Sequence, residues 1–260
     1  MTRLLILLAG SVLTSSVFLL SCKKGEESAA PAITYELANF RIESEGGCRA
    51  DSSRCASYEV SYPVFKGLDS TVVNELRRQI DASVSMGNPE AQGESMQTIG
   101  KKFVSDFDDF KKEMPDYGMG WYYEAGVNVE VLTDTLLSLS VTEEYFTGGA
   151  HGGHGTYYIN INPRTGKEFT LDNYFKPNYE ESLRDIGDRL FRRAHEIADT
   201  ASLQENMFEF PDDRFELNQN YGFTKEGLVF YYNSYEIAAY AAGPTEVLIS
   251  YDSLKPFIRQ

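Results

Sequence analysis

Two histidines stand three positions apart, His151 and His154, in the stretch "EYFTGGAHGGHGTYY" that spans residues 144–158. Imidazoles at that spacing can share a zinc ion when a helix or tight turn carries them, and a third ligand plus an open position would make the site hydrolytic. Glu143 and Glu144 are the nearest candidates for that ligand, provided the strand end curls back onto the turn. Against this, Gly152 and Gly153 separate the rings, the chain has no HExxH motif or facing cysteine pair, and so glycine-rich a segment is poorly organised for a metal. The other reading is a connection between strands, in which Gly148, Gly149, Gly152, Gly153 and Gly155 supply positive φ or close backbone approach. That reading is preferred. It makes the expected protein a binding module with no catalytic residue, metal or cofactor, and leaves a metal-dependent envelope hydrolase on His151 and His154 as the alternative.

Other residue patterns add no chemistry. Asp106, Asp108 and Asp109 in "SDFDDF" share a helix with Phe103, Phe107 and Phe110, so they form its solvated side, and the run lacks the glycine and final glutamate of a calcium loop. "FPDDRF", residues 210–215, reads as a turn, and no GxSxG, Walker loop or dinucleotide fingerprint is present. His195 follows Arg192 and Arg193 on a helix and reads as a solvated surface residue.

The elements that must hold the histidine run follow from periodicity. "ITYELANFRIESE" and "SYEVSYPVFKG" alternate as strands, and Val72, Val73, Leu76, Ile80 and Val84 form one stripe of a helix that opens at Asp69 or Ser70 and stops at Gly87. A second helix, about Ser95 to Met114, buries Met96, Ile99, Phe103, Phe107, Phe110 and Met114 and ends at Pro115. Val127, Val129 and Val131, then Thr133-Asp134-Thr135, then Leu137, Leu139 and Val141 make an antiparallel hairpin. "TYYINI" is a further strand, so the histidine run joins two strands. After a turn over Asn162–Gly166 and a short strand, the longest helix is expected from about Tyr179 to Ala198. Asn178 and Glu181 cap it, Leu183, Ile186, Leu190 and Ile197 face inward, and Glu180–Arg184 and Asp188–Arg192 pair. Strands near Phe215, over Leu228–Tyr232 and over Glu246–Tyr251 precede a short helix from Asp252 or Ser253. The class is α+β with mostly antiparallel sheets and packed amphipathic helices.

Residues 1–21 read as a secretory leader, with Arg3 ahead of an apolar run from Leu4 to Leu20, and the junction Leu19-Leu20-Ser21-Cys22 resembles a bacterial lipobox. Cys22 is then the lipidated residue, anchoring the chain to the outer membrane of the cell envelope, and residues 22–33 are a flexible tether. Cys48 and Cys55 are left as an even, close pair, which in an exported chain points to a disulfide rather than zinc. With 39 acidic against 24 basic side chains and a net charge of −15, the chain repels nucleic acid and attracts cationic partners.

"TEEYFTGGAHGGHGTYYIN", "TGKEFTLDNYF" and "GLVFYYNSYEIAAYAAGPTEVLISYDSLKPFI" together resemble the two-part extracytoplasmic module of the lysozyme-sensing anti-sigma factor RsiV. A similar pair precedes the catalytic domain of the peptidoglycan deacetylase PdaC. The resemblance covers most of residues 34–260 and rests on Thr147-Gly148-Gly149-Ala150-His151 with Tyr235-Glu236-Ile237 and Tyr240-Ala241-Ala242-Gly243-Pro244. It implies two small subdomains, 34–160 and 161–260, the second similar to a lobe of the heat-shock cognate ATPase but without a nucleotide-site motif. It also implies a partner such as a basic protein like lysozyme, or a peptidoglycan fragment. His154 and its glycines stand where the family commonly has a proline-led segment, and no sigma-binding region or deacetylase domain is read here, so neither activity is carried over. Within that pattern the Gly-His turn and the "YEIAAYAAGP" loop are expected to pack together, with His151, His154, Tyr157, Tyr235 and Tyr240 as binding residues.

Overall fold

The computed structural model describes residues 32–44, 48, 54–85, 91 and 93–259, so the leader, Cys22 and all but the end of the tether lie outside the described residues. Ala32–Gln260 is one compact unit. Its first sheet has five strands in sequence order: β1 (Thr34–Glu43), β2 (Ala56–Lys66), β3 (Trp121–Leu132), β4 (Leu137–Phe146) and β5 (Gly153–Ile161). Every neighbouring pair is antiparallel except β2 and β3. A parallel pair needs a long crossover. Two helices supply it, α1 (Ser70–Ser83) and α2 (Met96–Glu113).

Both helices cover one face of this sheet. Asp69 opens α1 by accepting from the Thr71 N–H at 2.8 Å, and Ser95 opens α2 by accepting from Thr98 at 3.3 Å. Val72, Leu76 and Ile80 of α1 and Met96, Ile99, Phe103 and Phe107 of α2 pack on Tyr58, Val60, Tyr123, Val127, Leu139 and Val141. Tyr58 and Tyr123 are fully buried and stack at 4.6 Å, and burying each of them stabilises the fold by roughly 2–3 kcal/mol. Two expected core residues point elsewhere. Val73 is 36% exposed because it leaves the i,i+4 row of its neighbours, and Met114, 53% exposed, is the non-helical residue that caps α2. Cys48 and Cys55 form a disulfide beside the start of β2.

The second sheet is antiparallel: β6 (Tyr221–Phe223), β7 (Gly227–Tyr232) and β8 (Thr245–Ser250). Around it lie α3 (Leu171–Tyr174), α4 (Glu180–Ala194) and α5 (Tyr251–Leu254). Leu183 and Phe191 of α4 join Phe215, Phe223, Phe230 and Tyr232 in a second core. At 15 residues α4 is shorter than the 18 of α2, so the expected longest helix is not the longest. Its expected cap is absent, because Asn178 takes φ 65° and Tyr179 becomes the cap, without a side-chain bond. The capping box falls instead at Thr170 and Asn173 of α3.

Arg192 pairs with Asp188 at 2.8 Å and, being buried, also donates to the Ala198 and Ala201 carbonyls, while Arg184 reaches Asp185 and Glu181 rather than Glu180. His195 is half-buried between Phe191 and Phe208, whose rings lie 4.6 and 4.5 Å away, and burial lowers its pKa; it is not the solvated residue expected. The strand expected near Phe215 is an irregular segment whose ring enters the core, and the one before α3 is a single bridge between Ile161 and Glu168.

The two sheets meet along β5. Asn233 accepts from the Thr156 N–H at 2.8 Å and donates to its carbonyl at 3.0 Å. Asn220 accepts from the Tyr158 N–H at 3.1 Å and donates to the same Thr156 carbonyl at 2.8 Å. These two side chains occupy the free edge of β5 as a sixth strand would. Gly222 of β6 makes the approach possible, since a Cβ there would fall 1.9 Å from the Tyr158 ring.

Candidate functional site

The histidine run divides between a bend and a strand. Gly148 and Gly149, at φ 91° and 113°, turn the chain at the end of β4, and His151 rides this bend. His154 lies inside β5, which begins at Gly153, so only one of the two imidazoles sits on the expected connection. The reason is steric. Gly152 and Gly153 have no side chain to hold them off Tyr145, where a Cβ would come within 2.7 Å of the carbonyl oxygen and 2.4 Å of the ring, and strand pairing therefore starts early.

From the distant end of the sequence, the loop after β7 closes over this bend. The Tyr240 ring stacks on His151 with centroids 4.2 Å apart and 20° between planes, and its hydroxyl donates to the Gly152 carbonyl at 3.2 Å. That carbonyl also lies 2.8 Å from His151 Nδ1, which donates to it, since a carbonyl can only accept. Tyr235, held at φ 72° and 67% exposed, lies 5.3 Å from Tyr240. His154 is 5.8 Å from Tyr240 and its Nε2 lies 3.1 Å from the Ser234 hydroxyl. Four of the five expected binding residues thus converge on one exposed surface. Tyr157 does not join them: strand alternation sends it to the other face of β5 from His154, where its hydroxyl bonds Glu143.

The two glutamates suggested as metal ligands part in the same way. Glu143 is buried and accepts from the Tyr123 hydroxyl at 2.8 Å; burial raises its pKa, with the tyrosine hydrogen bonds opposing the rise. Glu144 faces solvent with His154 as its registered neighbour on β5. Among the described residues, no three His, Cys, Asp or Glu side chains come together as a metal site. The register instead builds a row across all five strands: Arg41, Glu59, Glu124, Glu144 and His154, each directly opposite the next. Asn39, at 2.6 Å, and Arg41 hold the Glu59 carboxyl below the ordinary carboxylate range. Glu59, Glu124, Glu144 and His154 line a shallow groove that ends at the His151–Tyr240 stack.

Sequence reasoning missed Ser234 and Asn233, which dock the loop, Asn220, which caps the β5 edge, and the carboxylate row. Glu59, Glu124 and Glu144 lie far apart in the chain, and only pairing register brings them into line. The parallel β2–β3 pair, which sets Glu59 beside Glu124, has no local signal.

Residues 50–154 match the family model described as "Deacetylase PdaC" and residues 172–252 the one described as "Protein of unknown function (DUF3298)". No curated protein matches the chain. A DUF3298 family member from Bacteroides fragilis is 22% identical, with a TM-score of 0.64 over 89% of this chain and 95% of that one. A DUF3298 family protein from Pseudomonas aeruginosa is 19% identical, with a TM-score of 0.64 over 88% and 96%. The fold is shared with both, and the two family matches fall on successive parts of the chain, while the described residues from Ala32 onward form one compact unit.

Proposed function

We propose, from the premise that this chain joins a PdaC-type segment to a DUF3298 segment, that it is a non-catalytic, lipid-anchored binding module of the cell envelope. Its binding face is the His151–Tyr240–Tyr235 stack together with the Glu59–Glu124–Glu144 row. Its partner is a basic protein, of which lysozyme is the representative probe. One observation carries this reading: rings from residues 151, 235 and 240 assemble at the end of a groove lined by registered carboxylates. Exposed aromatic rings supply contact area and bind cations over their faces, while a line of carboxylates steers a basic surface and fixes its orientation. A peptidoglycan fragment is a weaker fit, since such a row favours cations over a neutral or acidic glycan.

The test is calorimetric titration of the full chain with lysozyme. Binding at low salt should weaken roughly tenfold on reaching physiological ionic strength, as exposed charges are screened. Glu124→Gln with Glu144→Gln should remove most of that salt dependence, and Tyr235→Ala should lower affinity at every salt concentration. Absence of heat at both ionic strengths removes lysozyme, and unchanged affinity and salt dependence in both variants removes the face.

A further inference from the structure

Apolar side chains gather at the corner of the first sheet where the described residues begin. On β1, Tyr35 is 42% exposed and Leu37 66%; on β2, Val64 is 44% exposed; and on α1, Val73 is 36% exposed. Register makes them neighbours, since Tyr35 lies opposite Phe65, Glu36 opposite Val64 and Leu37 opposite Pro63. Strand alternation puts Tyr35 and Leu37 on one face of the sheet and Val64 on the other, so this rim is apolar on both sides. Val64 and Val73 also border a narrow groove that Tyr62, Leu76, Ile80 and Met96 line, in which Arg77 is the one charged side chain among the described residues. Single exposed apolar side chains are ordinary, but several joined to an apolar groove mark an interaction surface.

Two further observations bear on what covers this corner. The first is where the chain enters it. Ala32 lies against the turn between β2 and α1, its carbonyl oxygen 2.7 Å from where a Cβ on Gly67 would stand. Cys22, the residue read as the lipid attachment, is ten positions earlier, so at most about 36 Å of chain separates it from the corner. A surface that holds Cys22 is therefore kept close to Tyr35 and Val64, at the high effective concentration that lets a weak contact persist. The second is charge. The whole chain carries −15, yet here Lys66, Arg77 and Arg78 balance Glu36, Asp69 and Glu75, with Lys66 paired to Glu36 and Arg78 to Glu75. The corner is thus spared the acidic excess that would drive it from a layer of lipid headgroups.

We propose that this corner rests on the lipid bilayer to which the chain is anchored, with Tyr35, Leu37, Val64 and Val73 at the boundary between headgroups and acyl chains. Tyrosine suits that boundary, having an apolar ring and a wet hydroxyl, and Lys66 can lay its stem along it while its charge stays in water. The contact rests on the lipid-anchor reading and is independent of which partner the aromatic face takes. It also orients the module. β1 and β5 are opposite edges of the first sheet, four strand spacings or about 19 Å apart. With β1 against the bilayer, the His151–Tyr240 stack at the β5 side faces away from the membrane, open to an approaching partner.

Tryptophan fluorescence of the full, lipidated chain in phosphatidylcholine vesicles tests this, with brominated acyl chains as the quencher. Tyr35→Trp and Leu37→Trp place a reporter at the corner, and Met207→Trp places one at a residue 78% exposed beside the second core. The corner reporters should lose about half of their added emission in brominated vesicles, and Met207→Trp almost none. Adding Val64→Glu and Val73→Glu to the Leu37→Trp chain should abolish the quenching while the chain still floats with the vesicles. A chain that does not float ends the anchor reading and the docking with it. A chain that floats, with corner reporters quenched no more than Met207→Trp or with quenching that survives the two glutamates, keeps the anchor and overturns the docking. Blue-shifted corner emission without bromine quenching overturns it in favour of a second copy of the chain.

Discussion

Replacing Asn233 by alanine tests how the aromatic stack is held in place. Asn233 joins the loop bearing Tyr235 and Tyr240 to the strand bearing His154, through one bond accepted from the Thr156 N–H and one donated to its carbonyl. Thr156 is only 9% exposed, so its orphaned N–H should cost about 1–3 kcal/mol. The carbonyl loses one donor but keeps Asn220 at 2.8 Å, which adds about 0.5–1 kcal/mol. The expected loss is therefore about 1.5–4 kcal/mol in urea unfolding, with the slope unchanged. Asn220→Ala has the same logic, since it orphans the Tyr158 N–H and leaves the Thr156 carbonyl to Asn233. Because each single variant leaves that carbonyl one donor and the double variant leaves none, their effects should exceed additivity by about 1 kcal/mol. Asn233→Ala costing less than about 0.5 kcal/mol, or a strictly additive pair, refutes the account of the shared carbonyl and of the strand-like cap.

Further expectations concern protonation, cross-linking and backbone packing. Burial raises the pKa of Glu143 and of Asp81, so the stability each contributes is complete below its ordinary value, about 4, and is lost as pH rises through the raised folded value. Glu143→Gln should therefore gain on the wild type as pH climbs from about 4 to 7 in urea unfolding, and a constant difference would contradict this. Reducing the Cys48–Cys55 bridge, which spans seven residues, should lower stability by roughly 2.5 kcal/mol, read from denaturation with and without reductant. Gly152→Ala should destabilise by about 1–3 kcal/mol, as its Cβ would meet the Tyr145 carbonyl at 2.7 Å. Gly118→Ala, with open space around it, should be neutral or stabilising by up to about 1 kcal/mol, both glycine variants being read by urea unfolding.

Much of this architecture was legible before any coordinates. The helix starts were readable at Asp69 or Ser70, of which Asp69 is the cap, and at Ser95; the β3–β4 hairpin followed from alternation around Thr133–Thr135, and the disulfide followed from two close cysteines. Local sequence was silent wherever distant segments decide the outcome. Phe215 looks like a strand residue because aromatic side chains favour strands, yet its ring is drawn into the second core by Phe191 and Phe210, 5.2 Å from each. His195 sits beside arginines in sequence but against phenylalanines in space. At the site itself, glycine content and tyrosine content correctly brought residues 151 and 240 together, while Tyr157 was lost to the alternation of its own strand. The carboxylate row was invisible because it follows hydrogen-bond register, which runs across the chain and not along it.

The amides that finish β5 reach it from 62 to 77 residues downstream. A nascent chain that has released β5 but not yet Asn220 exposes raw strand edge on both flanks of its first sheet, with Leu37 and Tyr35 on one of them. Synthesis stalled in that interval should yield a sticky fragment rather than a harmless half, so the yield of folded protein should depend on how quickly the second portion arrives as well as on how well it fits.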